Sequence, residues 1–143
     1  SYFFTVKLAN PSSHLLVDQI DHLRSAFTYV KRRHPFHIDA IVVMPNHLHC
    51  IWTLPEEDFN YSMRWRQIKS HFSRAIPTTE STSQSRQRKH ERGLWQRRFW
   101  EHTLRDERDY LNHIEYTHNN PVKHGFVATP YEWPYSSIHY TKS

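Results

Sequence analysis

Two strand-like runs split by a three-residue break constrain this chain most. Phe36 to Val43 is rich in β-branched and apolar residues, and His47 to Leu54 is another such run. Met44-Pro45-Asn46 lies between them, and Pro45-Asn46 is a turn signal. Runs this close can pair only as an antiparallel hairpin. Strand side chains alternate, so Leu48, Cys50 and Trp52 share one face, and His47 and His49 share the other. One face is apolar and the other offers two imidazoles.

The rest of the chain supplies partners for this hairpin. Tyr2 to Leu8 is aromatic and β-branched and reads as a first strand. Asn10-Pro11-Ser12-Ser13 punctuates it. Leu15, Leu16, Ile20, Leu23, Phe27 and Val30 then follow helical spacing, closed by Lys31, Arg32 and Arg33. Ser62 to Ile76 predicts a second helix, with Met63, Ile68, Phe72 and Ile76 buried. The segment at about 77–92 is polar without apolar periodicity, and it is expected to be a mobile loop, basic towards its end at Arg86, Arg88, Lys89 and Arg92. A fourth strand is expected over Phe99 to Arg105. Asp106 then caps a helix running through Tyr110, Leu111 and Ile114 to about Asn119, which Pro121 ends. The aromatic tail from Tyr131 is expected to pack back onto the domain. The order β-α-β-β-α-β-α predicts an α+β fold of the ferredoxin-like split βαβ type. It has an antiparallel sheet, helices on one face, and one domain over residues 1–143.

Composition excludes several classes. Only Gly93 and Gly125 are glycines, so no glycine-rich phosphate loop exists. The single cysteine, Cys50, permits neither an intrachain disulfide nor a cysteine-based zinc site and suits a reducing compartment. No apolar run has the length needed to cross a bilayer. The net charge of +5 favours a polyanionic partner, nucleic acid first among them.

Two short segments carry the chemistry. His47 and His49 can hold a divalent metal, although a lone His-x-His is more often solvated, and this chain has 13 histidines. Tyr116 and Asn120 are spaced i, i+4 and share a helical face. A phenol is mostly protonated at neutral pH and needs help to act as a nucleophile. A metal that polarises a phosphate gives that help, and the Asn120 amide oxygen would complete its shell. Taken alone, a core or interface tyrosine is the commoner reading for Tyr116.

Taken together these segments resemble a known group. Met44 to His49 resembles the HUH motif, two histidines flanking one hydrophobic residue. Tyr116 to Gly125 is similar to the tyrosine helix of the REP-associated tyrosine transposases. Leu94 to His102, Trp133 to Ser137 and Tyr2 to Val6 match that group as well, so the resemblance spans nearly the whole chain. It implies a single-tyrosine nuclease with Tyr116 as nucleophile and His47, His49 and Asn120 as ligands to Mg²⁺ or Mn²⁺. It implies cleavage of single-stranded DNA beside palindromic hairpin repeats, with a 5′-phosphotyrosine intermediate. It further implies action in the bacterial cytoplasm, with a monomer as the first reading and, as in related insertion-sequence transposases, a dimer with composite sites as the alternative. The group carries a short basic segment before its first strand, whereas this chain starts within that strand, so residues that read the hairpin flank are expected to be missing here.

A single-stranded substrate requires a basic groove with aromatic platforms. The candidates are Arg64, Arg66 and Lys69 around Trp65, then Arg97, Arg98 and Arg105, with His118 and Lys123 near the nucleophile. His124 is expected to be solvated surface. Trp100 and Trp133 are expected in the core. Two other classes fit part of the pattern: a non-catalytic nucleic-acid-binding module, and a metal-dependent hydrolase in which Tyr116 is structural.

Overall fold

The structure, a computed structural model, describes residues 1–77 and 93–140. The polar segment expected to be a mobile loop lies almost wholly outside the described residues.

The elements are β1 (Tyr2–Lys7), α1 (Leu15–Asp18), α2 (Ile20–Arg33), β2 (His37–Val43), β3 (His47–Thr53), α3 (Tyr61–Ala75), β4 (Trp100–Thr103) and α4 (Glu107–Lys123), followed by two short 3-10 turns, Pro130–Glu132 and Ser137–Tyr140. The described strands pair antiparallel in the order β2-β3-β1-β4. This is the ferredoxin-like order, and the fold class is α+β as the sequence predicts.

The two faces of the sheet differ as the hairpin requires. Phe4, Val6, Leu48, Cys50 and Trp52 point to one face and meet Leu23, Phe27 and Val30 of α2 and Trp65, Ile68 and Phe72 of α3. The chain is poor in aliphatic residues, so rings fill this space. Trp52 stacks on Trp65 with centroids 4.4 Å apart, and Phe4 meets both edge-on. Such pairs add about 0.5–1.5 kcal/mol each beyond the area they bury. The other face carries a smaller cluster, Phe3, Ala40 and Ile51, covered by Leu104, Tyr110 and Ile114. Thus α2 and α3 share one face, and α4 lies across the opposite one.

Register places the cross-strand rows. Val42, His49, Thr5 and Trp100 form one row across all the described strands; Ala40, Ile51, Phe3 and His102 form the next. A bulge at Asp39 interrupts the β2–β3 ladder. Its carboxylate accepts hydrogen bonds from Thr53 and from the Tyr110 hydroxyl at 2.7 Å, which ties α4 to β2. The tail packs back as expected: Val43 N–H donates to the Tyr135 carbonyl, and Trp133 Nε1 donates to the Val43 carbonyl.

Several expectations are corrected. The helix from Leu15 breaks at Gln19, whose φ and ψ of −113° and 37° are not helical. Strand β4 is shorter than Phe99 to Arg105. Pro121 does not end α4 but lies within its last turn. The helix stops at Gly125 instead, with Phe126 N–H donating to the Pro121 carbonyl and Gly125 N–H to the Val122 carbonyl. That is a Schellman cap, and Gly125 meets its left-handed requirement at φ +77°. Trp100 is 56% exposed and not core.

Candidate active site on the open face of the sheet

Three elements bring the candidate residues together. His47 and His49 stand on β3 with ring centroids 5.0 Å apart. Helix α4 crosses above them and places the Tyr116 ring 5.5 Å from the His49 ring. Asn120, one turn further, is fully buried, and both its side-chain polar atoms lack a hydrogen-bond partner.

The histidines are held for ligation. Asn46 donates from Nδ2 to the Pro11 carbonyl, so its Oδ1 is the acceptor for His47 Nδ1 at 2.7 Å. That fixes the proton of His47 on Nδ1 and leaves a lone pair on Nε2. Thr5 Oγ1 engages His49 Nδ1 at 2.8 Å; when the hydroxyl accepts, the lone pair is on His49 Nε2 as well. Such outer partners orient metal-binding imidazoles. Burial lowers the pKa of His47 to about 4, helped by His124 and Lys7 and opposed by the nearby Asn120 amide, whose approach stops short of hydrogen-bond geometry. Burial, then His47, His124 and the nearby lysines, lowers that of His49 to about 3. Both rings are neutral near pH 7, the form that binds metal.

Two imidazole nitrogens and an unpartnered buried amide on facing elements form a donor set suited to a divalent ion. The surroundings suit an anion. A cleft of about 360 Å³ beside the pair is lined by Lys7, Asn46, His49 and His124. The Lys123 ammonium lies 4.9 Å from the Tyr116 ring centroid. Tyr116 is 40% exposed, within reach of a macromolecular substrate. His124, expected to be solvated surface, is exposed but lies with its ring 5.3 Å from His47.

The expected DNA contacts divide. Arg66, Arg98 and Arg105 are exposed, as is Arg97. Arg64 is not a contact residue: it is buried, and its guanidinium donates to Asp58, the Asn60 carbonyl, and the His34 and Pro35 carbonyls. Trp65 beside it lies within the aromatic core. His118 is buried too and bonds Ser137 Oγ at 2.9 Å, turned towards the tail, because positions 116 and 118 fall on different sides of a helix. Lys69 is half-buried on the α3 side, donates to the Gln96 carbonyl and lies over Phe99. These side chains satisfy the fold before any ligand.

Sequence reasoning missed a second cluster. His102 on β4 and Asp109 and His113 on α4 present ligand atoms all within 4.8 Å of one another. Asp109 Oδ2 accepts from His102 Nε2 at 2.8 Å and from the Arg105 N–H at 3.0 Å. The Arg105 N–H keeps the Asp109 carboxyl below its usual range; burial opposes it, and His102 and His113 add to the lowering. The i, i+4 spacing of Asp109 and His113 was readable; the third member joins only because α4 folds back over β4.

Comparison with known proteins follows the same lines. Residues 8–120 match the family model described as "Transposase IS200 like". The chain is 46% identical over 139 residues to the REP-associated tyrosine transposase of Escherichia coli (strain K12), covering 97% of this chain and 76% of that protein. A Haemophilus influenzae protein bearing the same transposase name is 43% identical, with 96% of this chain and 79% of that protein covered. A solved structure of the REP-associated tyrosine transposase bound to a REP hairpin superposes with a TM-score of 0.85 at 46% identity, over 97% of this chain and 76% of that one. A Deinococcus radiodurans protein described as a transposase shares the fold, with a TM-score of 0.53 at 16% identity over 82% of this chain and 88% of that one.

Proposed function

This chain belongs to the IS200-like transposase family, and from that premise we propose that it cleaves and rejoins single-stranded DNA beside palindromic hairpins through Tyr116. One observation carries the reading: Tyr116 and the His47–His49 pair face each other within a single chain, with the unpartnered amide of Asn120 beside them.

His47 Nε2, His49 Nε2 and the Asn120 amide oxygen would hold Mg²⁺ or Mn²⁺, which when bound supplies charge withdrawal from a non-bridging phosphate oxygen. Imidazole donors favour Mn²⁺ of the two. The Tyr116 oxygen forms its bond to phosphorus as the bond from phosphorus to the 3′ oxygen breaks. The phenol gives its proton to solvent, and the departing 3′ oxygen gains one. The 5′ phosphate stays on Tyr116, so a 3′ hydroxyl can attack it and rejoin the strand without ATP. Helix α4 carries both nucleophile and ligand, which fixes their separation before substrate arrives. Lys7, Lys123 and His124 border the site and would hold the phosphates on either side. Arg97, Arg98 and Arg105 would be the more distant phosphate contacts, whereas Arg66 lines a cleft between α2 and α3 on the other side of the sheet. The hairpin bound by the solved relative is the substrate class proposed here.

The test is a denaturing gel of the protein with Mn²⁺ and labelled single-stranded hairpin DNA, beside Tyr116→Phe. The expected result is a metal-dependent, SDS-stable protein–DNA adduct absent from the variant. Cleavage by both proteins without an adduct would replace this reading with a hydrolase. Retardation on native gels without cleavage would replace it with a binding module.

A further inference from the structure

We infer that His102, Asp109 and His113 form a second metal site, selective for a zinc-class transition ion, which fastens the nucleophile helix to the edge strand. The ligand atoms come from two elements. His102 stands on β4, paired across to Phe3, and Asp109 and His113 lie one turn apart on α4. Asp109 Oδ2 lies 2.8 Å from His102 Nε2, and Asp109 Oδ1 lies 3.2 Å from His113 Nδ1. An ion with bonds of about 2.0–2.1 Å spaces its tetrahedral ligands roughly 3.3 Å apart. The three atoms already lie within 4.8 Å of one another, so seating an ion needs small shifts only.

The donors set the ion's class. Two imidazoles and one carboxylate suit zinc, cobalt or nickel and disfavour magnesium and calcium, which want oxygen. Coordination through His102 Nε2 and His113 Nδ1 gives up their hydrogen bonds to Asp109 Oδ2 and to the Asp109 carbonyl, and moves each ring's proton to its other nitrogen, so no proton is lost. Arg105 is the competing cation, with Nε 3.7 Å from Asp109, but its side chain is 78% exposed and free to swing away. The rings are held from outside: His102 stacks between Trp100 and His113, and His113 rests on Phe3. The cluster is partly exposed, so an ion can enter from solvent.

Position gives the role. Asp109, His113, Tyr116 and Asn120 follow one another at three- and four-residue steps along α4. Tyr116 therefore lies between the two donor sets. The second set lies about one to two turns before Tyr116 on the same helix, and an ion there fixes the roll of α4 against β4.

The test uses the whole chain carrying His47→Ala and His49→Ala, which removes the first donor pair. Zinc is titrated against a chromophoric indicator, and thermal unfolding is followed with and without zinc. One zinc per chain is expected, with a raised unfolding midpoint. Adding Asp109→Asn, which keeps the side chain's size, should weaken binding by about tenfold or more and abolish the shift. His113→Ala should do the same. No stoichiometric zinc in the starting variant, or zinc binding and a midpoint shift that survive Asp109→Asn, would overturn the inference. Its failure is separate from that of the proposed function: a Tyr116 adduct without this zinc sinks only the second site, and zinc without an adduct sinks only the DNA chemistry.

Discussion

Arg64 looks like a phosphate ligand in a basic sequence and acts as a structural bolt. It joins α3 to the end of α2 through the His34 and Pro35 carbonyls and pairs with Asp58 at 2.8 Å. Arg64 is buried while Asp58 is part-exposed, and removing the guanidinium is costly because the His34 and Pro35 carbonyls stay unsatisfied. Arg64→Ala should lower stability by about 3 kcal/mol in urea unfolding. The pair also sets an acid limit. Arg64's hydrogen bonds, followed by the Asn60 N–H, hold Asp58 down at about 2. An unfolded aspartate titrates near ~3.9, so the unfolded chain binds the proton first as pH falls. Stability from this carboxylate is full above the unfolded value and is lost as pH drops through about 2. Asp58→Asn should flatten that limb of a stability–pH curve. Trp100 makes the opposite case. It is a large, mostly exposed ring on the face that carries α4, in the same row as His49 and Thr5 and stacked on His102. Trp100→Ala should weaken binding of single-stranded DNA about tenfold in a fluorescence-anisotropy titration while moving the melting temperature little.

Helix α4 shows what an element's ends decide. Proline within the last turn costs one hydrogen bond, yet the Schellman cap at Gly125 lets the helix run past it. An added methyl at Gly125 meets nothing within 4 Å, so only its positive φ resists substitution. Gly125→Ala should therefore cost about 1 kcal/mol in thermal unfolding, and Gly125→Asn less, since asparagine tolerates that region. Element order and the two faces of β3 were legible because alternation and helical spacing are local signals. The break at Gln19 was not, because apolar spacing continues across it. Nor was the burial of Arg64 and Trp65, since a basic residue next to a tryptophan reads alike in a core and on a surface. His102 was unreadable as a neighbour of His113 because their contact depends on how α4 folds back over β4. The pairing of Tyr116 with His47 and His49 came from resemblance, and the structure adds their proximity and the unpartnered Asn120.

At the scale of the molecule, the nucleophile and the three donors named for the proposed cleavage stand together in one polypeptide. The Tyr116 ring lies 5.5 Å from the His49 ring of the same chain. That closeness has a genetic consequence. A protein disabled at Tyr116 and another disabled at His47 should not rescue each other when mixed, however long they are incubated. Adduct formation by such a mixture, measured against either variant alone, would show that active sites are shared between copies. If mixing restores nothing, two damaged genes in one cell remain two null alleles, and selection judges each copy by its own sequence.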